Sequence, residues 1–253
     1  THHALAADMA SGVYRPTPPN VTFNDRLTLD LGDLTVRLFH VGPGVHTDTD
    51  VLVLVPEDGV LFTADAFYPN SVRLASTVQA DPDRLLAVLD EVLLPTNKVQ
   101  KVVTSHQGVL PRAALELRRD YLRQIASRLR PAIAAGEPFA AIAERLNVAS
   151  FPGLAGSGVE SAALRRQHAA NVRLYWARLT GSQPVSEPLE RALAEGGPAR
   201  MRAVAAELHS APETRYFVDE DDLNRLAYAL LNRTRREDAI AVLELAVEWL
   251  PGA

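Results

Sequence analysis

Between Val21 and Phe62 the pattern of apolar and polar positions reads as strands. Leu27, Leu29 and Leu31 stand between polar neighbours, and Leu34, Val36 and Leu38 repeat the spacing after Gly32-Asp33. Successive side chains of a strand point to opposite faces, so this pattern predicts two strands joined by a tight turn. Val51 to Val55 is an unbroken apolar run of the length expected for a buried strand. Pro56-Glu57-Asp58-Gly59 carries turn chemistry, and Val60-Leu61-Phe62 returns as the second arm of a hairpin. At Asp81 the period changes. Leu85, Leu86, Leu89 and Val92 follow a helical spacing that runs to Leu94, with Asp81 as its cap. Val99 to Val103 then predicts a short strand ending at Thr104-Ser105-His106.

From Pro111 onward the period is helical almost throughout. Helices are predicted over Leu115 to Leu129, over Phe139 to Leu146 after Gly136, and from about Ser161 to Leu179. Ser150 to Gly158 reads as a Gly/Ser loop, Gly181-Ser182-Gln183-Pro184 as a linker, and only helices are expected beyond it. Strands with interleaved helices, followed by helices alone, describe an α/β (α+β) body at 1–180 with a helical C-terminal extension at 181–253. Within 220–253, Leu223, Leu226, Ala227, Leu230, Ala239, Leu243, Ala246 and Pro251 fall at the spacing of one tetratricopeptide-like unit. The plain alternative is a helical hairpin packed on its own domain. One such unit cannot bury its own face, so it must dock on the body or on a partner.

Composition narrows the chemistry. The 253 residues are 47% hydrophobic and 23% charged with a formal net charge of −5, the profile of a globular chain. That balance gives no electrostatic footprint for nucleic acid, and no apolar run reaches the ~18–20 residues of a membrane span. There is no Cys, which removes disulfides, thiolate nucleophiles and Cys-ligated metals together, and leaves the compartment open. A homo-oligomer is compatible with the chain.

Three segments place chemistry at predicted strand ends, where ligands of α/β proteins collect. They are His40-Val41-Gly42-Pro43-Gly44-Val45-His46, then Leu61-Phe62-Thr63-Ala64-Asp65, then Val103-Thr104-Ser105-His106-Gln107-Gly108. Singly, each has a dull explanation: a strand-end His is usually hydrogen-bonded and a strand-end Asp often caps a helix. Together they supply His46, Asp65 and His106, and neutral imidazoles with a carboxylate suit zinc or iron rather than calcium.

The stretch from His40 to Phe67 resembles the metal-binding motifs of the metallo-β-lactamase superfamily. That pattern is Gly-Pro, His-Thr, an apolar strand, a Pro-containing turn, then Leu-Phe and Asp; His106 in Ser105-His106-Gln107-Gly108 is similar to the last ligand. The resemblance covers roughly Thr1 to Leu179. The family's first signature, Thr-His-x-His-x-Asp-His, lies without a gap on Thr1-His2-His3-Ala4-Leu5-Ala6-Ala7. His2 then falls on the first ligand, whereas Ala4, Ala6 and Ala7 stand where the family has His, Asp and His. A deliberate knock-out and natural decay both explain this, and a shifted register using Asp8 would need an insertion.

The resemblance implies an αββα sandwich lacking its N-terminal part, which would leave one sheet face open. It implies a dinuclear Zn2+ hydrolase in an inactive or weakened form, with metal ligands His2, His46, Asp65 and His106, and Ala6 in the place of the water-orienting Asp. The implied substrate is a small ester-, lactone- or phosphoester-like molecule; amides, thioesters and sulfate esters belong to the same range. The alternative is a natural pseudoenzyme that binds a ligand or partner without turnover.

Overall fold

The computed structural model describes residues 20–47, 49–67, 81–155, 162–212 and 215–250. The candidate first motif, with His2, Ala4, Ala6 and Ala7, lies outside the described residues. By packing the chain forms two compact units, one reaching to Gln124 and one running from Ile125 to Ala253.

The first unit is built on a six-stranded sheet in sequential order: β1 (Arg26–Asp30), β2 (Thr35–His40), β3 (Val51–Val55), β4 (Val60–Ala64), β5 (Lys101–Thr104) and β6 (Gly108–Pro111). All neighbours pair antiparallel except β4 and β5, which are parallel. A parallel pair needs a crossover, and helix α1 (Pro82–Val92) lies in that connection. Asp81 caps α1 by accepting from the amides of Asp83 at 2.9 Å and Arg84 at 3.1 Å. The mixed α/β fold expected from the patterning is what forms. Strand β6 was not expected: four residues opening on Gly108 offer too short a pattern to read.

The register explains why the body needs its helices. Leu54, Leu61 and Val102 are cross-strand partners, and all are fully buried. On the opposite face Leu27, Leu38, Val53, Phe62, Val103 and Val109 form an apolar row across all six strands, and none is buried. Phe62 is 43% exposed and Val109 64%. One face of the sheet is therefore a core, while the apolar row on the other is half-buried at Leu27, Leu38, Val53 and Val103 and exposed at Phe62 and Val109.

Helix α2 (Ala113–Ala134) contributes residues to both units. Its Arg118 is buried, and loss of solvent lowers its pKa to about 10, so it stays protonated at neutral pH. The second unit continues with α3 (Phe139–Arg145), the short α4 (Pro152–Ala155), α5 (Ala162–Thr180), α6 (Ser186–His209), α7 (Glu220–Asn232) and α8 (Arg236–Trp249). The Gly196-Gly197 pair breaks α6: Gly197 has φ 62 and ψ −160, which only glycine readily adopts. Leu189, Leu193, Met201, Leu223, Leu230, Val242 and Leu245 form one buried cluster of these last helices.

The segment read as a linker holds a two-residue strand, β7 (Gln183–Pro184), paired in parallel with β8 (Tyr216–Phe217), so the C-terminal part is not helical alone. Two-residue strands carry no alternation, and their partners are distant in sequence, so no local pattern announces them.

Candidate functional site

Each of the three chemistry-bearing side chains sits where a strand ends and the chain must turn. After β2, the loop 41–50 is held by buried Val41 and Val45. Gly42 (φ 69) and Gly44 (φ 90) supply left-handed backbone that other residues disfavour. Arg84 of α1 donates from Nε to the Val41 carbonyl at 2.8 Å, and the Asp81 amide donates to the Gly44 carbonyl at 2.7 Å. This delivers His46, whose side chain is 23% exposed. His40 is used otherwise, its Nδ1 meeting the Asn24 carbonyl at 2.9 Å.

At the end of β4 the pairing with β5 shifts register between Phe62 and Ala64, and Ala64 takes φ 46. A left-handed alanine costs roughly 1–2 kcal/mol and persists only where its surroundings fix it. Here buried Thr63 and Phe67 flank it, and the Ala66 amide donates to the Thr63 carbonyl at 3.0 Å. The kink turns Asp65 out of the strand. Between β5 and β6, Thr104 pairs with Gly108, leaving Ser105, His106 and Gln107 as the hairpin loop. Gly108 (φ 70) and a bond from the Gln107 amide to Thr104 Oγ1 at 2.9 Å fix that turn.

The three loops converge on Asp65. His106 Nε2 lies 3.0 Å from Asp65 Oδ1, and His46 Nε2 lies 3.9 Å from Asp65 Oδ2. Ser105 Oγ also donates to Asp65 Oδ1. The histidines differ in setting: the His106 side chain is 63% exposed. His46 is deeper, and its Nδ1 is buried with no hydrogen-bond partner among the described residues.

The donor set suits a borderline divalent ion, with two imidazoles, one carboxylate and no thiolate. Two ligands of one tetrahedral zinc, each ~2.0–2.1 Å from the ion, stand about 3.3 Å apart. The 3.0 and 3.9 Å separations around Asp65 straddle that spacing. A buried ring nitrogen without a partner is itself unfavourable by ~1–3 kcal/mol, so these residues leave the site incomplete. Among the described residues no group of three or more His, Cys, Asp or Glu closes into a metal-holding cluster. His46, Asp65 and His106 are zinc-ligand types, and the approach of the two imidazoles to Asp65 is as far as the described residues go toward a metal site.

Sequence reasoning assigned no role to Ser105 or Asp50. Ser105 is legible only as the neighbour of His106, and its contact with Asp65 spans forty positions. Asp50 binds Thr47 within its own loop, a local signal that spacing offers.

No family model matches the chain, and no curated protein matches it. Among solved structures it is similar to a metallo-β-lactamase from Pontibacter korlensis, with 24% identity over 47% of this chain and 55% of that one, at a TM-score of 0.37. It is similar to the metallo-β-lactamase FIM-1 from Pseudomonas aeruginosa in its mono-zinc form, with 22% identity over 47% of this chain and 52% of that one, at 0.37. A double mutant of the sec-alkyl sulfatase PisA1 gives 15% identity over 93% of this chain and 36% of that one, at 0.48. The chain spans about half the length of the two lactamases. At this identity and superposition the likeness assigns neither substrate nor metal to this chain.

Proposed function

We propose that the chain is a metal-dependent hydrolase of the metallo-β-lactamase type in an inactive or weakened form. The observation that carries this is the approach of His46 and His106, from loops sixty positions apart, to the two oxygens of one carboxylate. His46 and His106 would hold zinc, with Asp65 between them and His2 as a further ligand. Bound zinc lowers the pKa of its water to ~7 and polarises a substrate oxygen.

The protein's own groups divide the remaining tasks. Asp65 Oδ1 accepts a hydrogen bond from Ser105 Oγ, which orients its carboxylate, and lies 3.0 Å from His106 Nε2. His46 is the less exposed of the two imidazoles, and His106 the more accessible to a small ester, lactone or phosphoester. In the gapless register Ala6 stands where the family has its water-orienting Asp, and loss of that carboxylate would weaken turnover.

The test restores the three groups together: Ala4→His, Ala6→Asp and Ala7→His. The triple variant should bind two zinc ions and hydrolyse an ester, lactone or phosphodiester, while single reversions gain little because ligands act as a unit. Asp65→Ala should abolish the gain. A triple variant that binds zinc and hydrolyses nothing on that panel would favour the second reading, a pseudoenzyme that binds without turnover. Three alanines at ligand positions are the observation on its side. The tetratricopeptide-like hairpin of α7 and α8 would then present its exposed Tyr228 and Val247 to a partner.

A further inference from the structure

We infer that Asp50 is the positioning residue of His46. It lies four positions beyond the histidine, at the far end of the same loop, and both of its carboxylate oxygens are committed to Thr47, the residue that directly follows His46. Asp50 Oδ2 accepts from the Thr47 amide at 2.6 Å, and Asp50 Oδ1 accepts from Thr47 Oγ1 at 2.6 Å. The loop is closed at the backbone as well, where the Val41 amide donates to the Asp50 carbonyl at 3.1 Å. With one hydrogen bond from Thr47 on each oxygen, the carboxylate acts as a brace across the loop. Hydrogen bonds to a charged group are short and strong, and this pair removes the main freedom of the backbone on the C-terminal side of His46. On the N-terminal side buried Val45 does the same. An imidazole held at both flanking residues keeps Nε2 aimed at Asp65 without the cost of ordering it when a ligand arrives.

The metal arm of the test rests on the hydrolase reading; the loop arm does not. Three variants of the full chain separate them: Asp50→Ala, Thr47→Val and Thr47→Ser. In metal-free protein the Thr47 amide should exchange with solvent at least tenfold faster in Asp50→Ala, with Thr47→Ser unchanged. Cobalt(II) is the probe for the site, titrated by its visible absorption. Asp50→Ala should weaken its binding about tenfold to a hundredfold, the usual effect of losing a group that orients a ligand. Thr47→Val should weaken it less, and Thr47→Ser should retain it, which a general loss of fold would not do. Equal cobalt affinity in Asp50→Ala and the unmodified chain overturns the inference. If the unmodified chain takes up no cobalt, the alanines at positions 4, 6 and 7 account for it, and the hydrolase reading is decided on the triple variant. The amide exchange then decides alone: faster exchange in Asp50→Ala upholds the brace, and unchanged exchange overturns it.

Discussion

Gly59 turns the chain between β3 and β4 at φ +63, and a Cβ built there would stand 2.8 Å from the Lys98 carbonyl oxygen. Its own carbonyl accepts from the amides of Gln100 at 2.7 Å and Lys101 at 3.0 Å, joining the hairpin to the entry of β5. Gly59→Ala therefore meets backbone strain and a backbone clash at once, and the clashing atom cannot swing aside. Urea unfolding should show a loss of about 2 kcal/mol or more. The same measurement on Gly32→Ala, where φ is +95 but no atom lies within 4 Å, should show the smaller loss due to strain alone.

At the scale of the element, α7 carries an electrostatic conflict at its start. Asp219 caps it by accepting from the Asp222 amide at 2.9 Å, and Asp222 itself is buried. Burial pushes both carboxyl groups above their ordinary range, against the opposing hydrogen bonds from the Asp222 amide and Ser186 and the nearby charge of Arg225. The folded form thus holds these protons more tightly than the unfolded chain. Stability from this source is fully present below the unfolded carboxylate pKa of ~4 and is lost as pH rises through the higher folded values. Asp222→Asn removes the buried charge while keeping the shape. It should unfold at higher denaturant than the unmodified chain at pH 7, with the difference shrinking at pH 4. An equal difference at both pH values would show that burial of charge is not the cause.

At the scale of the whole molecule, the second face of the sheet is the less buried one. Leu27, Leu38, Val53, Phe62, Val103 and Val109 cross it as one apolar row, and such surfaces bind apolar dyes and partners. A dye such as anilinonaphthalene sulfonate should fluoresce with the folded chain, and Phe62→Gln with Val109→Gln should reduce that signal at least twofold. The paired change should leave urea stability nearly unaltered, because neither side chain is buried.

The amino-acid sequence determined what depends on neighbours along the chain. Alternating leucines specified β1 and β2, because side-chain direction in a strand follows position alone. Asp81 before a helical apolar spacing specified α1 and its cap, since a cap bonds amides two and three residues away. His46, Asp65 and His106 were legible as candidates because each follows an apolar run that must end in a turn. The tertiary structure decided what depends on distance through space. It kinked the backbone at Ala64, and it brought Ser105 onto Asp65. It paired Gln183–Pro184 with Tyr216–Phe217, and it buried one apolar face of the sheet more deeply than the other. Register and strand order are set by which surfaces find cover, and that is a property of the packed chain and of no single stretch of it.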